Sequence, residues 1–96
     1  MSFKLSRQAT QDIIDLYVSG SVQFGMEQAE HYNTGLMDVL SLLADNPGMA
    51  RMRREFKRPV RLHPYNAHLI AYVEDDSGVL VVRVLHGRRD WENLLS

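Results

Sequence analysis

The chain has 96 residues, of which 45% are hydrophobic and 24% are charged, and it contains no cysteine. This length and composition predict one globular domain over residues 1–96, and they exclude disulfide cross-links, cysteine-ligated zinc and thiol catalysis. The net charge of −1 is a sum over two unlike halves, because residues 1–50 carry two basic and six acidic side chains whereas residues 51–96 carry nine basic and six acidic ones.

The first half of the chain predicts a short strand followed by two helices. The strand is expected over residues 2–5, and Ser6 then stands at the N-cap of the first helix. Phe24-Gly25 is the predicted break before the second helix, and Asn46-Pro47-Gly48 ends that helix because proline cannot continue the hydrogen-bond ladder. Apolar residues recur at helical spacing in the second helix at Ala29, Tyr32, Leu36, Leu40 and Leu43. Helices joined by so short a break are expected to form an antiparallel hairpin.

After residue 58 the apolar residues alternate, which is typical of strands. We expect three strands, over residues 59–65, 67–74 and 79–86. Pro59 and Pro64 place the first of them at a sheet edge. A turn at Asp75-Asp76-Ser77-Gly78 separates the other two, with its glycine free to take a positive φ. The last strand is apolar on both faces, which is typical of a central strand.

A final helical turn follows, with Asp90 as its cap and Trp91 among its apolar residues. The order of strand, helical hairpin, antiparallel meander and short C-terminal helix predicts an α+β domain. The longest aliphatic run near the C-terminus, Val79 to Val82, is far shorter than the roughly 20 apolar residues that cross a membrane. We therefore expect no membrane segment, and a cytoplasmic protein.

The segment from residue 51 to residue 61 is strongly basic, with one acid, Glu55. Its basic residues are Arg51, Arg53, Arg54, Lys57, Arg58 and Arg61. The segment is either a solvated loop or a docking surface for phosphate or an acidic polypeptide.

A second candidate site lies at the end of the last predicted strand, from Arg83 to Asp90. Arginine there can bind phosphate in a bidentate fork, and His86 can transfer a proton near neutral pH. The alternative is that Arg83 pairs with an acid at the edge of the core, while Arg88 and Arg89 face water.

Signals for cofactor chemistry are absent from the sequence. It has no glycine-rich phosphate loop, no serine in an elbow motif and no His-Glu-x-x-His pattern. The four histidines, which show no regular ligand spacing, are His31, His63, His68 and His86. The last three could converge on a metal, but no cysteine or carboxylate set supports them. We predict neither a metal nor a cofactor.

The chain as a whole resembles the RelE/ParE superfamily of bacterial toxins, and most closely its ParE branch. The residues that carry this resemblance are Phe24-Gly25, Gln28-Ala29, Tyr32, Leu36, Leu43, Asn46-Pro47-Gly48, Arg61, His68, Tyr72 and the run from Val82 to Arg88. The resemblance implies a RelE/ParE-like fold and a toxin of a type II toxin–antitoxin system. It also implies neutralisation by a ParD-like antitoxin encoded beside it, and poisoning of DNA gyrase by a toxin that acts as a protein ligand and not as an enzyme.

The resemblance also divides the candidate site residues between two partners. The target-binding residues are expected to be Arg83, His86, Arg88, Arg89 and Trp91. The antitoxin-binding residues are expected to be the basic residues Arg51, Arg53, Arg54, Arg58 and Arg61 and the helical residues Tyr17, Tyr32 and Leu36. Truncation after Gly87 is accordingly expected to abolish toxicity and to leave antitoxin binding largely intact.

The alternative function is that of the RelE branch, whose members cut messenger RNA on the ribosome. Arg88 or Arg89 could match the nuclease arginine of that branch, but the late tyrosine is missing and Leu94-Leu95 stands near its place. A nuclease arginine near the start of the strand predicted over residues 67–74 is also absent. This leaves His86 as the candidate proton carrier. A plain nucleic-acid-binding module is a third class, and the net charge of −1 argues against it.

Overall fold

The computed structural model describes residues 3–95, apart from the side chain of Glu92. Its elements are β1 (Phe3–Leu5), α1 (Arg7–Phe24), α2 (Met26–Asp45), a 3-10 turn (Pro47–Met49), β2 (Met52–Arg53), β3 (Val60–Tyr65), β4 (His68–Asp75), β5 (Gly78–His86) and α3 (Trp91–Leu95). They form the predicted α+β architecture, with a helical hairpin on a sheet. Ser2, which was predicted to belong to the first strand, lies outside the described residues.

The two ends of α1 confirm the predicted cap and break. The Ser6 hydroxyl oxygen accepts a hydrogen bond from the Ala9 amide at 2.9 Å, as an N-cap side chain does. Gly25 alone separates α1 from α2, with a φ of 92° that a residue with a Cβ rarely adopts. No helix within residues 3–95 is long and apolar enough to cross a membrane.

The sheet has five strands in the order β1-β5-β4-β3-β2, and all neighbours are antiparallel except β1 and β5. β5 lies between β1 and β4, which confirms the predicted central position. The edge position predicted for β3 is wrong, because Met52 and Arg53 form a short outer strand against Arg61 and Val60. A two-residue strand has too few positions to show alternation, so the sequence pattern did not reveal β2.

Apolar side chains cover both faces of the sheet. The helix face packs into the larger core, with Leu36, Leu40, Leu43, Ile70, Tyr72, Val79, Val81 and Val84 among its buried residues. The opposite face carries a second cluster of Phe56, Val60, Ala71, Leu85 and Trp91. Phe56 therefore anchors the basic segment to the sheet, and α3 covers the same face through Trp91.

The middle of α2 approaches β3 closely, and this contact places Tyr32. The Tyr65 hydroxyl donates a hydrogen bond to the backbone oxygen of Tyr32 at 2.9 Å. A Cβ added to Gly35 would collide with that hydroxyl, so a larger residue at this position would displace the Tyr65 side chain. The rings of Tyr32 and Tyr65 then meet edge to face, with centroids 4.9 Å apart.

Candidate functional site

A cleft of about 730 Å³ lies between the helical hairpin and one end of the sheet. One wall is the side of α1 between Asp12 and Phe24 together with the first residues of α2. The other wall is formed where β4 begins and β5 ends, and it includes His68, His86 and Arg89. The cleft therefore brings together residues that the sequence analysis assigned to two different partners.

Asp12 and Arg83 form a largely buried ion pair at this cleft. The Arg83 guanidinium donates from Nε to Asp12 Oδ2 at 2.8 Å and from Nη2 to Oδ1 at 3.0 Å. The hydrogen bond to Asp12 also raises the pKa of Arg83 above its usual value. Asp12 Oδ2 accepts a third hydrogen bond from the Val84 amide at 3.0 Å. β1 pairs with β5 only as far as Val81, so it provides no acceptor for the Val84 amide. The Asp12 carboxylate provides that acceptor instead.

Tyr32, His68 and His86 form a chain of ring contacts in the cleft. The Tyr32 hydroxyl lies 2.8 Å from His68 Nδ1, and the His68 and His86 rings meet edge to face with centroids 5.6 Å apart. Burial, assisted by His86, lowers the pKa of His68, and burial raises the pKa of Tyr32. Both shifts favour the neutral groups. The Tyr32 O–H donates to the Tyr65 backbone oxygen at 3.3 Å, and neutral His68 contacts the same hydroxyl through Nδ1.

The lowered pKa of His68 makes the stability of the fold depend on pH. The unfolded chain binds a proton at the ordinary histidine pKa of about 6.5, whereas folded His68 binds it only at a lower pH. The free energy of unfolding is therefore expected to fall as the pH decreases through and below 6.5. Urea unfolding at pH 7.5, 6.5 and 5.5 should show a smaller loss in His68→Gln than in the native chain. Equal losses would contradict this assignment.

The segment after β5 holds its arginines at the surface. The His86 backbone oxygen accepts hydrogen bonds from the Arg89 amide at 3.0 Å and from Trp91 Nε1 at 3.2 Å. His86 Nδ1 accepts from the Arg88 amide at 3.1 Å. These bonds fix the backbone of the segment while the side chains of His86, Arg88 and Arg89 remain exposed.

Three of the predicted contact residues have structural roles instead. Leu36 is fully buried in the helix-side core, so its assignment to the antitoxin surface is corrected. Trp91 is 8% exposed within the second apolar cluster, and its indole N–H is bonded to His86, which leaves it little surface for a target. Arg83 is 15% exposed and is engaged by Asp12, which agrees with the alternative that pairs it with an acid at the core edge.

The predicted basic residues of the segment from 51 to 61 divide into two groups. Arg53 pairs with Glu55, and Arg61 donates to Glu74 Oε1 at 2.9 Å and to the Ala50 backbone oxygen at 2.6 Å. Arg61 thereby ties the segment to β4 and to Ala50, whereas the pair of Arg53 with Glu55 lies within the segment at its surface. The exposed basic residues, which remain candidates for docking, are Arg51, Arg54, Lys57 and Arg58.

The remaining predicted residues, Tyr17 and Tyr32, both line the cleft. The Tyr17 hydroxyl donates to Glu30 Oε1 at 3.3 Å and links the two helices.

Asp12 was missed by the sequence analysis, although it lies three residues after Ala9 on the apolar side of α1. A carboxylate at a buried helical position is a signal for a charged or hydrogen-bonded partner. Within residues 3–95 no group of three or more acidic or histidine side chains is arranged to hold a metal ion.

Comparison with known proteins defines the class to which this fold belongs. The fold is shared with a chain of a solved structure, the chromosomal ParDE TA system from P. aeruginosa, with a TM-score of 0.74. The two chains are 21% identical, and the match covers 90% of this chain and 95% of that one. The curated Toxin ParE1 of Caulobacter vibrioides is 29% identical over 84 residues, which is 88% of this chain and 86% of that protein.

Residues 3–91 match the model of the family described as ParE toxin of type II toxin-antitoxin system, parDE. The chain therefore belongs to the ParE toxin family of type II toxin–antitoxin systems. The resemblance inferred from the sequence is confirmed.

Proposed function

We propose that this toxin acts in the cytoplasm by binding DNA gyrase as a protein ligand, without catalysing a reaction, and that a ParD-like antitoxin neutralises it. The match to the ParE family over residues 3–91 carries the proposal. The exposed His86, Arg88 and Arg89 support it, because they project from a backbone segment fixed by the end of a central strand. Arginine is also among the residue types that dominate binding energy at protein interfaces.

The decisive experiment adds the purified toxin to gyrase supercoiling and cleavage assays, with and without the antitoxin encoded beside it. Inhibition of supercoiling, with accumulation of cleaved DNA, is expected for the toxin alone. The antitoxin should reverse both effects. An active gyrase that tolerates an excess of folded toxin would contradict gyrase as the target.

The exposed part of the basic segment is proposed to attract an acidic stretch of the antitoxin. The double variant Arg54→Glu/Arg58→Glu is expected to slow association several-fold at low salt, because opposite charges mainly raise the rate of encounter. The difference should shrink as salt is added and the charges are screened. Stopped-flow association rates at several ionic strengths measure both effects.

The control for this charge reversal is Lys4→Glu/Arg7→Glu, which changes the net charge equally in the other half of the chain. Arg53 is left unchanged because it already pairs with Glu55. Equal slowing by both double variants would mean that net charge alone, and not the basic segment, steers the antitoxin.

The second candidate is a ribosome-dependent mRNA endonuclease, and one observation favours it. Tyr32, His68 and His86 are side chains of the kinds used in general acid–base catalysis, they lie in contact one after another, and Arg89 lines the same cleft. This function predicts cleaved transcripts in a translating extract, with loss of cleavage in His86→Gln. The gyrase function predicts intact transcripts in the same extract.

A further inference from the structure

The outer side of α1 carries an apolar stripe, which we define as Ile14, Val18 and Val22. The three residues follow one another at intervals of four and therefore lie on one side of the helix. Ala9 and Leu16, which pack into the helix-side core, lie on the other side. The side chains of the stripe are 49%, 54% and 81% exposed, and none of the three lines the cleft. The apolar stripe is therefore a surface separate from the cleft.

The residue types of the stripe are unusual for a helix surface that faces water. Five of the seven large apolar side chains exposed within residues 3–95 lie between Ile14 and Met26, and Phe24 and Met26 continue the exposed apolar surface to the tip of the hairpin. Valine and isoleucine also form helices less well than alanine, glutamate or lysine. At an exposed position they contribute neither packing nor helix stability. Such a concentration of exposed apolar side chains is typical of a surface that binds another protein.

The two ends of the stripe carry opposite charges. Arg7 lies two turns before Ile14 on the same side of α1, and Glu27 lies in the first turn of α2, just beyond Val22. Both side chains are exposed, and neither has a hydrogen bond or ion pair within residues 3–95. Arg7 stands in the first turn of its helix, where the positive end of the helix dipole disfavours a cation. A carboxylate from another molecule would therefore be favourable beside Arg7.

The stripe can pack against a second copy of itself. In an antiparallel pair of α1 helices with a two-fold axis at Val18, each Ile14 lies opposite Val22 of the other copy, and the two Val18 side chains meet at the axis. Side chains at four-residue intervals form the ridges that interdigitate in the commonest class of helix packing. The two Asp15 positions stay about 9 Å apart along the pair, which is about one Debye length at physiological salt. Apolar side chains therefore meet without bringing like charges together.

The same arrangement pairs the charged ends of the stripe. Arg7 lies about 17 Å from the axis along the helix, and Gly25, at the tip of the other copy's hairpin, lies about 11 Å from the axis in the same direction. The extended side chain of Arg7 spans this difference of about 6 Å and meets Glu27 of the second copy. The two-fold axis repeats the contact at the other end of the pair. Since a parallel pair would place Arg7 beside Arg7, the charges select the antiparallel arrangement.

We infer that the outer side of α1 is a self-association surface, on which a second copy of this chain packs antiparallel through the apolar stripe. A single helix pair buries less area than the roughly 1,600 Å² of a standard stable interface, so we expect a dissociation constant in the micromolar range. The stripe shares no residue with the cleft or with the segment after β5. The dimer therefore leaves both of those surfaces accessible, and the inference is independent of the proposed function.

Analytical ultracentrifugation of the toxin without antitoxin gives the first test. The native toxin should change from monomer to dimer between about 1 and 500 µM. Val18→Lys places two ammonium groups at the two-fold axis and is expected to raise the Kd of the dimer at least about ten-fold. Circular dichroism checks that the variant is folded. A native toxin that stays monomeric over this range would overturn the inference, and so would a dimer that Val18→Lys leaves intact.

Leu42→Lys is the matched control for this test. Leu42 is an apolar residue of α2 outside the stripe, and its exposure of 46% is close to that of Val18. The Kd of the dimer should stay within about two-fold in this variant, because an exposed residue away from the interface contributes little. Equal weakening by the two lysine substitutions would contradict the stripe as the interface.

A charge exchange tests the antiparallel arrangement. Arg7→Glu replaces the attraction to Glu27 of the second copy by repulsion, and it is expected to weaken the dimer several-fold at low salt. Arg7→Glu/Glu27→Arg restores the pair with its charges exchanged and should recover most of the loss. An unchanged Kd in Arg7→Glu, or a loss that the double variant does not recover, would contradict the arrangement.

Oxidative cross-linking locates the axis of the pair. The chain has no cysteine, so Val18→Cys introduces one thiol per copy. At an interaxial distance of about 8–10 Å the two Cα atoms at the axis are close enough for a disulfide, and copper phenanthroline should convert this variant to a covalent dimer. Leu42→Cys should remain monomeric under the same conditions. Equal cross-linking of the two variants would overturn the inference.

The antitoxin is the alternative occupant of the stripe. If it covers the stripe, Val18→Lys raises the Kd for the antitoxin while the native toxin alone stays monomeric. That result would overturn self-association and leave the proposed function standing. A native dimer that Val18→Lys dissociates and Leu42→Lys does not supports the inference, whatever the gyrase assays show.

Discussion

Asp12→Ala is expected to lower the free energy of unfolding by about 3–5 kcal/mol, the cost of removing one partner from a buried ion pair. The change leaves the largely buried Arg83 guanidinium without its carboxylate and the Val84 amide without its acceptor. In a domain of this size each kcal/mol corresponds to about 4–8 °C in the melting temperature. Thermal and urea unfolding, followed by circular dichroism, measure the loss.

The control for this prediction is Asp15→Ala, one turn further along α1. Asp15 is exposed and its carboxylate bonds only Gln11 among the described contacts, so its loss should change stability by no more than about 0.5 kcal/mol. Asp12→Leu/Arg83→Met should recover part of the stability that Asp12→Ala loses, because apolar side chains replace the pair. The recovery should be incomplete since the Val84 amide still lacks an acceptor. Similar losses in Asp12→Ala and Asp15→Ala would contradict the role assigned to the ion pair.

The parts of the fold that depend on neighbouring residues were predictable from the sequence. Ser6 caps α1, Gly25 separates the helices and Pro47 begins the turn after α2, and each of these acts within a few residues. Gly78, with a φ of 128°, ends the turn before β5 as expected. Hairpin and meander follow from such local signals.

The features that depend on distant residues were not predictable. Asp12 and Arg83 are 71 positions apart, and no local pattern indicates that they meet. β2 forms because Phe56 anchors the segment that carries it to the second apolar cluster. From its composition, that segment was interpreted as a solvated loop or a docking surface. Its many charged residues gave no indication that Phe56 is buried.

In the candidate site, too, features set by neighbouring residues were predictable from the sequence, and those set by distant residues were not. Leu36 lies on the apolar side of α2 with Leu40 and Leu43, so helical periodicity already indicated its burial. Its assignment to a binding surface followed the family resemblance instead. The cleft itself depends on tertiary packing, which brings Tyr32 to His68 across 36 positions.

Removing residues 88–96 is expected to abolish toxicity, as the sequence analysis predicted, but also to destabilise the fold, whereas the sequence analysis expected antitoxin binding to stay largely intact. Trp91 is buried against the sheet face opposite the helices, with Leu94 and Leu95 packed beside it. Loss of a buried tryptophan side chain typically costs about 3–5 kcal/mol, a large share of the total stability of a small domain. The truncated toxin should therefore unfold at much lower urea concentration, and its loss of toxicity would say little about target contacts.

Arg88→Glu/Arg89→Glu separates target binding from folding. Both side chains are exposed, so the free energy of unfolding should change by no more than about 0.5 kcal/mol, while gyrase inhibition should fall at least about ten-fold. Supercoiling assays over a range of toxin concentrations measure the inhibition, and urea unfolding checks the fold. The control Arg54→Glu/Arg58→Glu makes the same charge change in the basic segment and should leave inhibition intact. If both double variants inhibit gyrase as well as the native toxin does, the target surface must lie elsewhere. A target bound through Arg88 and Arg89 must be affected when both charges are reversed.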